Sequence, residues 1–176
     1  DSGSEGVRIR VSDHWPEIRA LVVGVGAAAF FAASEAAIVS VSRIRARTFA
    51  EKGVPGGARL EKALEHRNGT LTSILIANTF VLLAADSIAT YLFIELGVPH
   101  APLWSTLATT IVLLLFGEIL PKTLAVSNSG RAALLLAAPL SIFTWVLTPL
   151  TAAFLAATNL IVRLFGGTEP HGPYVT

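Results

Sequence analysis

An acidic residue inside an apolar stretch is the feature of this sequence that most directly indicates chemistry. Residues 113–125 read LLLFGEILPKTLA, so Glu118 lies among aliphatic residues and Pro121 follows three positions later. Proline has no N–H, and in a helix the carbonyl of Gly117 therefore loses its usual donor. A free carbonyl oxygen beside a carboxylate suits a hard cation such as Mg²⁺, Ca²⁺ or Na⁺. The structural alternative is an ion pair between Glu118 and Lys122, one helical turn along.

Two other apolar stretches carry oxygen donors at a matching depth. Ser34, Asn78 and Glu118 lie about eight, ten and six residues from the polar ends of their stretches, which is roughly 10–15 Å at ~1.5 Å per residue. Ser73 precedes Asn78 by five residues, so it joins them only if its helix is distorted. The chain has no cysteine and only four histidines, which leaves softer metals few ligands. The predicted ligands are Ser34, Ser73, Asn78, Gly117 and Glu118.

Three further residues are predicted to support this set without all contacting the ion. Glu35 follows Ser34 and points about 100° around an ideal helix. It is either a hydrogen-bonded buried carboxyl or a residue that couples a second ion to the site. Pro121 and Lys122 complete the supporting group, through the missing N–H and the nearby positive charge.

Composition and charge spacing indicate an all-α membrane protein. Apolar residues make up 53% of the chain and charged residues 14%, whereas soluble domains carry about 25% charged residues. No Lys or Arg occurs at 68–121. Stretches near the ~20 residues that a bilayer crossing needs predict transmembrane helices at 20–42, 70–94 and 103–124.

The distribution of basic residues predicts the orientation of these spans. The segment 43–68 carries seven Lys and Arg residues, whereas the loop 95–102 carries none. By the positive-inside rule, 43–68 is cytoplasmic and the N-terminus lies outside the cell membrane. VPGG at 54–57 divides the basic segment into two short helices that lie along the lipid headgroups.

The apolar stretch 132–165 is interrupted by Pro139 and Pro149 and has Arg131 and Arg163 at its ends. Because both ends are cationic, either a re-entrant hairpin or helices in the membrane interface are expected, and the interfacial arrangement is preferred. The predicted organisation is an outer flank at 1–19, a transmembrane ion-transport domain at 20–165 and a linker at 166–176.

Three motifs together resemble the transmembrane (DUF21) domain of CorC/CNNM proteins. They are FFAASEAAI at 30–38, LIANTFV at 75–81 and FGEILPKTLA at 116–125. The resemblance implies a homodimeric Mg²⁺ transporter with three transmembrane helices per chain, a belt of juxtamembrane helices, and export of Mg²⁺ in exchange for Na⁺. It also implies that a cytoplasmic CBS-pair domain follows the linker. Ala32 and Leu82 stand where relatives often carry a hydroxyl and an amide, so the ligand set at these two positions stays open.

Two functions are consistent with this sequence. The first is a Mg²⁺ carrier that holds a largely dehydrated ion between its three helices and releases it by alternating access. The second is a dimeric membrane anchor or sensor that positions a regulatory domain and transports nothing. An enzyme is not expected, because no nucleophile–base pair is recognisable, and no nucleic-acid partner is expected, because there is no basic stripe with interleaved aromatics.

Overall fold

The computed structural model describes residues 14–164. Within these residues every regular element is a helix, as the sequence predicts. Seven α-helices are present, with one π-helical segment between the fifth and the sixth: α1 (Trp15–Ser40), α2 (Arg43–Glu51), α3 (Gly57–Glu65), α4 (Arg67–Glu95), α5 (Ala101–Val112), the π segment (Leu113–Ile119), α6 (Leu120–Ser127) and α7 (Ser129–Leu164). Most of the predicted outer flank and the predicted linker lie outside the described residues.

Four helical stretches are long and apolar enough to cross a membrane. Three of them, Trp15–Ser40, Arg67–Glu95 and Ala101–Ser127, contain the predicted spans almost completely, and the fourth is Ser129–Val162. Large apolar side chains project outward from them, as contact with lipid requires. The chain is therefore a multi-pass membrane protein. Length and composition leave the predicted count of three spans open, because the fourth helix also meets the criteria.

Helix α1 is the central element and packs against α4, the π segment, α6 and α7. Small residues make these contacts close. A Cβ added to Gly24 would lie 3.4 Å from the Cβ of Ala85 on α4, and one added to Gly117 would lie 3.3 Å from the Cβ of Ala28. Membrane helices gain little from the hydrophobic effect between them, so close packing of small residues supplies much of their association energy.

The basic segment forms two helices, α2 and α3, as VPGG predicts. The Ser42 hydroxyl caps α2 by accepting a hydrogen bond from the Arg45 N–H at 3.3 Å. Gly56 has a φ of +86°, and a Cβ there would lie only 2.5 Å from the carbonyl oxygen of Leu134. Only glycine fits this turn, because it tolerates both the left-handed conformation and the close backbone. The turn thereby holds α3 against α7.

Helix α7 runs without a break through both of its prolines, Pro139 and Pro149. The re-entrant hairpin considered for 132–165 is therefore wrong, since a hairpin needs a turn. Phe143 contacts Phe30 and Phe31 of α1, with ring centroids 5.6 and 5.4 Å apart. Eight residues later the Thr151 hydroxyl bonds Ser73 of α4 at 2.9 Å. Because α1 and α4 are neighbours, α7 crosses from one to the other within about 12 Å of its length.

Candidate metal centre

The backbone hydrogen bonds change register directly before Pro121. The π segment is defined by N–H groups that bond the carbonyl five residues back, and the bond at its end joins the Leu120 N–H to the Leu115 carbonyl. The four-residue spacing returns in α6, whose N-cap residue is Ile119. Pro121 therefore lies where one register gives way to the other.

This change of register leaves backbone oxygens without donors. The Leu120 N–H, which would bond the Phe116 carbonyl in an α-helix, bonds Leu115 instead, and Pro121 offers no N–H to the Gly117 carbonyl. The carbonyls of Phe116 and Gly117 therefore both lose the donor that an α-helix would give them. The sequence predicts a free carbonyl at Gly117 alone. The π segment adds the carbonyl of Phe116, which is not predictable from the proline.

Gly117 is buried against α1, whereas the adjacent Glu118 is half-buried. A Cβ at position 117 would lie 3.3 Å from the Cβ of Ala28, which explains why a glycine occupies this position. With no side chain, Gly117 leaves its own carbonyl unshielded. The pair therefore combines backbone oxygens and a carboxylate on the part of the helix that contacts α1.

Asn78 is the candidate ligand whose side-chain oxygen most clearly lacks a bonding partner. Its side chain is buried, at 8% exposure, and its Oδ1 has no hydrogen-bond partner among the described residues. An unpaired buried amide oxygen costs roughly 1–3 kcal/mol. Nearly all buried polar atoms in native structures have a hydrogen-bond partner, and a bound cation would give the Asn78 Oδ1 a partner of another kind.

Ser34 is fully buried on α1. Its Oγ donates a hydrogen bond to the Phe30 carbonyl at 2.7 Å. Because the hydroxyl proton is used within the helix, the lone pairs of the oxygen remain free. A hydroxyl held in this way can act as a cation ligand, which is the role that the sequence predicts.

Contacts along α1 set the relative levels of the three donors. Ala85 and Gly117 both lie against the region of Gly24 and Ala28. Asn78 precedes Ala85 by seven residues and Ser34 follows Ala28 by six, which places each roughly 10 Å from that region, towards the α2 end of the bundle. Glu118 lies roughly 7–8 Å, or about one and a half turns, from the level of Ser34. The donors thus occur within two helical turns of each other, on three elements of which α1 is the middle one.

Lys122 pairs with Glu35 and not with Glu118. Its Nζ lies 3.0 Å from Glu35 Oε2, and both side chains are partly exposed. The Glu118–Lys122 pair considered as the structural alternative is therefore absent from the described helices. The ion pair links α1 to α6 and neutralises one carboxylate next to the candidate site, which leaves Glu118 as the carboxylate available to an ion.

Ser73 is separated from the other candidates. Helix α4 is an undistorted α-helix, and Ser73 lies five residues, or about 140°, around it from Asn78. Its hydroxyl donates to the Gly69 carbonyl at 3.0 Å and bonds Thr151 on α7. The helix distortion that would bring Ser73 into the site is not present.

Sequence reasoning missed two features of this site. The π segment has no simple composition signal, although a proline preceded by Gly-Glu marks its end. The Glu35–Lys122 pair joins residues far apart in the chain, and two opposite charges in neighbouring apolar stretches were the only available indication. Among the described residues there is no cluster of three acidic, histidine or cysteine side chains. The candidate site therefore depends on neutral oxygens as much as on charge.

The sequence matches the model of one protein family, described as the cyclin M (CNNM) transmembrane N-terminal domain, over residues 20–176. The UPF0053 inner membrane protein YfjD of Escherichia coli is 30% identical over 141 residues, which cover 78% of this chain and 32% of that protein. A UPF0053 protein of Haemophilus influenzae is 33% identical over 113 residues, covering 64% of this chain and 27% of that protein.

A chloroplastic DUF21 domain-containing protein of Arabidopsis thaliana is 32% identical over 161 residues, which cover 89% of this chain and 24% of that protein. The chain thus spans between about a quarter and a third of the length of these relatives. The region matched by the family includes every candidate ligand described above. This chain therefore belongs to the CNNM family of membrane proteins, whose transmembrane domain is also called DUF21.

Proposed function

We propose that this chain is the ion-conducting domain of a transporter that exports Mg²⁺ in exchange for Na⁺. The observation that carries the proposal is the buried, unpartnered Oδ1 of Asn78. It lies on the helix beside α1, which carries Ser34 and packs against the π segment. An amide oxygen, a hydroxyl, backbone carbonyls and one carboxylate together form a set of hard oxygen ligands.

The charge of the site favours a carried ion over a permanently bound one. Glu118 supplies one negative charge, and Glu35 is neutralised by Lys122. A bound Mg²⁺ would therefore leave a net charge of about +1, which limits affinity in a low-dielectric interior. Mg²⁺ also gives up its water reluctantly. Such a site would hold the ion moderately and release it, as a carrier must.

The same charge count makes Na⁺ an effective competitor. Na⁺ beside one carboxylate gives a neutral site, and it uses the same oxygen ligands. In the proposed cycle, alternating access exposes the site to one side of the membrane with Mg²⁺ and to the other with Na⁺. Gly117, Ser34 and Asn78 would hold either ion, and Glu118 would discriminate between them by charge.

The remaining features of the proposal concern the assembly. We propose a homodimer in the cell membrane, with 43–68 cytoplasmic and a CBS-pair domain following the linker, and no catalytic activity. The apolar outer faces of the helices leave ample surface for a second copy in the membrane. In the relatives, the part that resembles this chain makes up only about a quarter to a third of the protein. The rest of their length is enough to contain a further domain.

A flux measurement tests the proposal. The purified chain is reconstituted into liposomes that contain Mg²⁺ and a Mg²⁺-sensitive dye, and Na⁺ is added outside. We expect Na⁺-dependent release of Mg²⁺ from the vesicles. Glu118→Gln keeps the shape of the side chain but removes its charge, so it should reduce release at least tenfold. Glu95→Gln, at the exposed end of α4, is the matched control and should transport normally.

Each outcome decides between the functions. Flux that Glu118→Gln leaves unchanged would remove this carboxylate from the pathway. If the parent protein releases no Mg²⁺ and Mg²⁺ does not raise its melting temperature, the transporter proposal fails and the anchor or sensor function is favoured. A transporter is supported only if the parent releases Mg²⁺ and the Glu95→Gln control behaves like the parent.

A further inference from the structure

A cleft lies on the face of α4 that carries Ser73, about 140° around the helix from Asn78. It has a volume of about 640 Å³, within the ~300–1,000 Å³ range of small-molecule pockets, and it is bounded by α3, the first two turns of α4, and α7. Its lining is mostly apolar. None of the predicted ion ligands except Ser73 contributes to it. The cleft is therefore a separate site.

Positive charge is concentrated at one end of this cleft. Arg59, Lys62 and His66 line it from α3 and the residue that follows α3, at positions i, i+3 and i+7 of one helical face. In the described part of the chain, neither Arg59 nor Lys62 forms an ion pair. The neighbouring carboxylates of α3, Glu61 and Glu65, are not among the lining residues. This end of the cleft presents two unpartnered cations.

Helix α7 supplies one wall of the cleft. Thr144 and Thr148 each donate their hydroxyl proton to a carbonyl of their own helix, so their oxygens remain available as acceptors. Trp145 is 78% exposed beside them, and Leu155 continues the wall. The Ser73–Thr151 hydrogen bond joins α4 to α7 and forms part of the lining. The cleft thus has a cationic end, a belt of hydroxyls and an aromatic ring, and an apolar remainder.

We propose that this cleft binds one anionic phospholipid. Its phosphate would contact Arg59 and Lys62, its polar headgroup and glycerol would lie beside the threonines and Trp145, and an acyl chain would lie along the apolar wall. Basic pockets between membrane helices recognise such headgroups, and tryptophan is enriched at headgroup depth. A lipid is the occupant because the cleft opens between helices of a membrane protein and combines charge with a longer apolar surface. The proposal rests on the membrane location and not on ion transport.

Fluorescence quenching by brominated lipid tests this site. The chain has three tryptophans, so a variant with Trp15→Phe and Trp104→Phe retains Trp145 as its reporter. This variant is reconstituted into phosphatidylcholine vesicles that contain an equal, small fraction of either brominated phosphatidylglycerol or brominated phosphatidylcholine. We expect the anionic lipid to quench Trp145 several-fold more effectively. A variant that retains only Trp104, at the start of α5, should be quenched equally by both lipids.

Charge removal identifies the cations. In the same reporter background, the pair Arg59→Gln and Lys62→Gln should weaken the preference for the anionic lipid by roughly fivefold per residue. The pair Arg43→Gln and Lys52→Gln removes the same charge from the two ends of α2, away from the cleft, where neither cation forms an ion pair with a described residue, and should leave the preference intact. Inorganic phosphate should not relieve the quenching, because it lacks the apolar contacts.

Three results would overturn the proposal. Equal quenching of Trp145 by the two lipids would show that the cleft has no preference for an anionic headgroup. An equal loss of preference in the α2 control pair would indicate general attraction of anionic lipid to a basic surface. Relief of quenching by inorganic phosphate would mean that Arg59 and Lys62 bind a free anion and not a lipid.

Discussion

At the scale of single residues, Asn78 gives the most informative test of the ion site. Its buried Oδ1 has no partner among the described residues, so the amide destabilises the ion-free protein. Asn78→Leu replaces it with an apolar side chain of similar size. We expect the melting temperature without Mg²⁺ to rise, by an amount that corresponds to roughly 1–3 kcal/mol. The additional stabilisation that Mg²⁺ gives the parent should disappear.

The direction of the change in melting temperature, and the loss of the response to Mg²⁺, distinguish a ligand from a structural residue. A residue that only bonds one helix to another would lose stability on the same substitution, because its hydrogen bond would be lost. Thermal melts in detergent, with and without Mg²⁺, therefore separate the two roles. A lower melting temperature with an unchanged response to Mg²⁺ would contradict a ligand role for Asn78. Thr79→Val is a suitable control, since its hydroxyl bonds a carbonyl of its own helix.

The Glu35–Lys122 pair makes a second residue-scale prediction. Lys122→Gln removes the charge that neutralises Glu35, one helical turn from Glu118. The added negative charge should strengthen Mg²⁺ binding by roughly tenfold and Na⁺ binding by less, because the Coulomb energy scales with the ionic charge. Titration calorimetry measures both affinities.

Combining Glu35→Gln with Lys122→Gln restores the local charge. The double variant should therefore recover an affinity near that of the parent, which is the matched control for this pair. If Lys122→Gln alone leaves Mg²⁺ affinity unchanged, the ion pair lies too far from the site to influence it, and its role is limited to holding α1 against α6.

At the scale of the secondary-structure elements, the π segment is what most distinguishes this chain from a simple helical bundle. Pro121 removes the N–H that would bond Gly117 in an α-helix or Phe116 in a π-helix. Pro121→Ala restores that donor without changing a proposed ligand side chain. We expect the ion-free protein to become more stable. Mg²⁺ should bind roughly three- to tenfold more weakly, because the ion would have to displace a hydrogen bond worth about 0.5–1.5 kcal/mol.

Calorimetry and thermal melts of the Pro121→Ala protein check both parts of this prediction. An unchanged Mg²⁺ affinity would mean that the proline only shapes the helix and that the neighbouring carbonyls do not contact the ion. Pro139→Ala is the control, since it places a donor in another long apolar helix that lies outside the candidate site. That variant should gain stability without a change in affinity.

The elements also show which physical signals the sequence carries. Helix positions were predictable because apolar stretches and the basic segment between them are local features. The missing donor at Pro121 was predictable for the same reason. The π register was not, because it depends on how the residues before the proline settle against α1. The continuity of α7 was not predictable either: neighbouring helices and local adjustments can accommodate a proline in an apolar helix, so Pro139 and Pro149 do not reveal whether a turn is present.

At the scale of the whole molecule, the predicted site is assembled from separate stretches of the chain, and its predictability differs accordingly. The depth of Ser34, Asn78 and Glu118 within their own helices predicts that they lie near one another, and the contacts of α1 place them within two turns. Partnerships across helices, such as Lys122 with Glu35 and Ser73 with Thr151, could not be read from depth. Depth is a property of one helix, whereas pairing depends on how each helix is rotated about its axis.

The orientation of the molecule in the membrane is the remaining prediction at this scale, and it determines which side of the membrane the site faces in each state. The chain contains no cysteine, so a single introduced thiol gives an unambiguous signal. Lys52 is exposed at the end of α2 and suits this purpose, whereas Gly56 does not, because a side chain there would collide with the Leu134 carbonyl. The positive-inside rule places Lys52 in the cytoplasm. Lys52→Cys should therefore react with a membrane-impermeant thiol reagent only after the cells are opened, and Glu95→Cys, in the loop predicted to lie outside, should react in intact cells. The reverse pattern would show that the predicted topology is inverted. The α2 end of the bundle, towards which the ion site lies, would then face the outside of the cell.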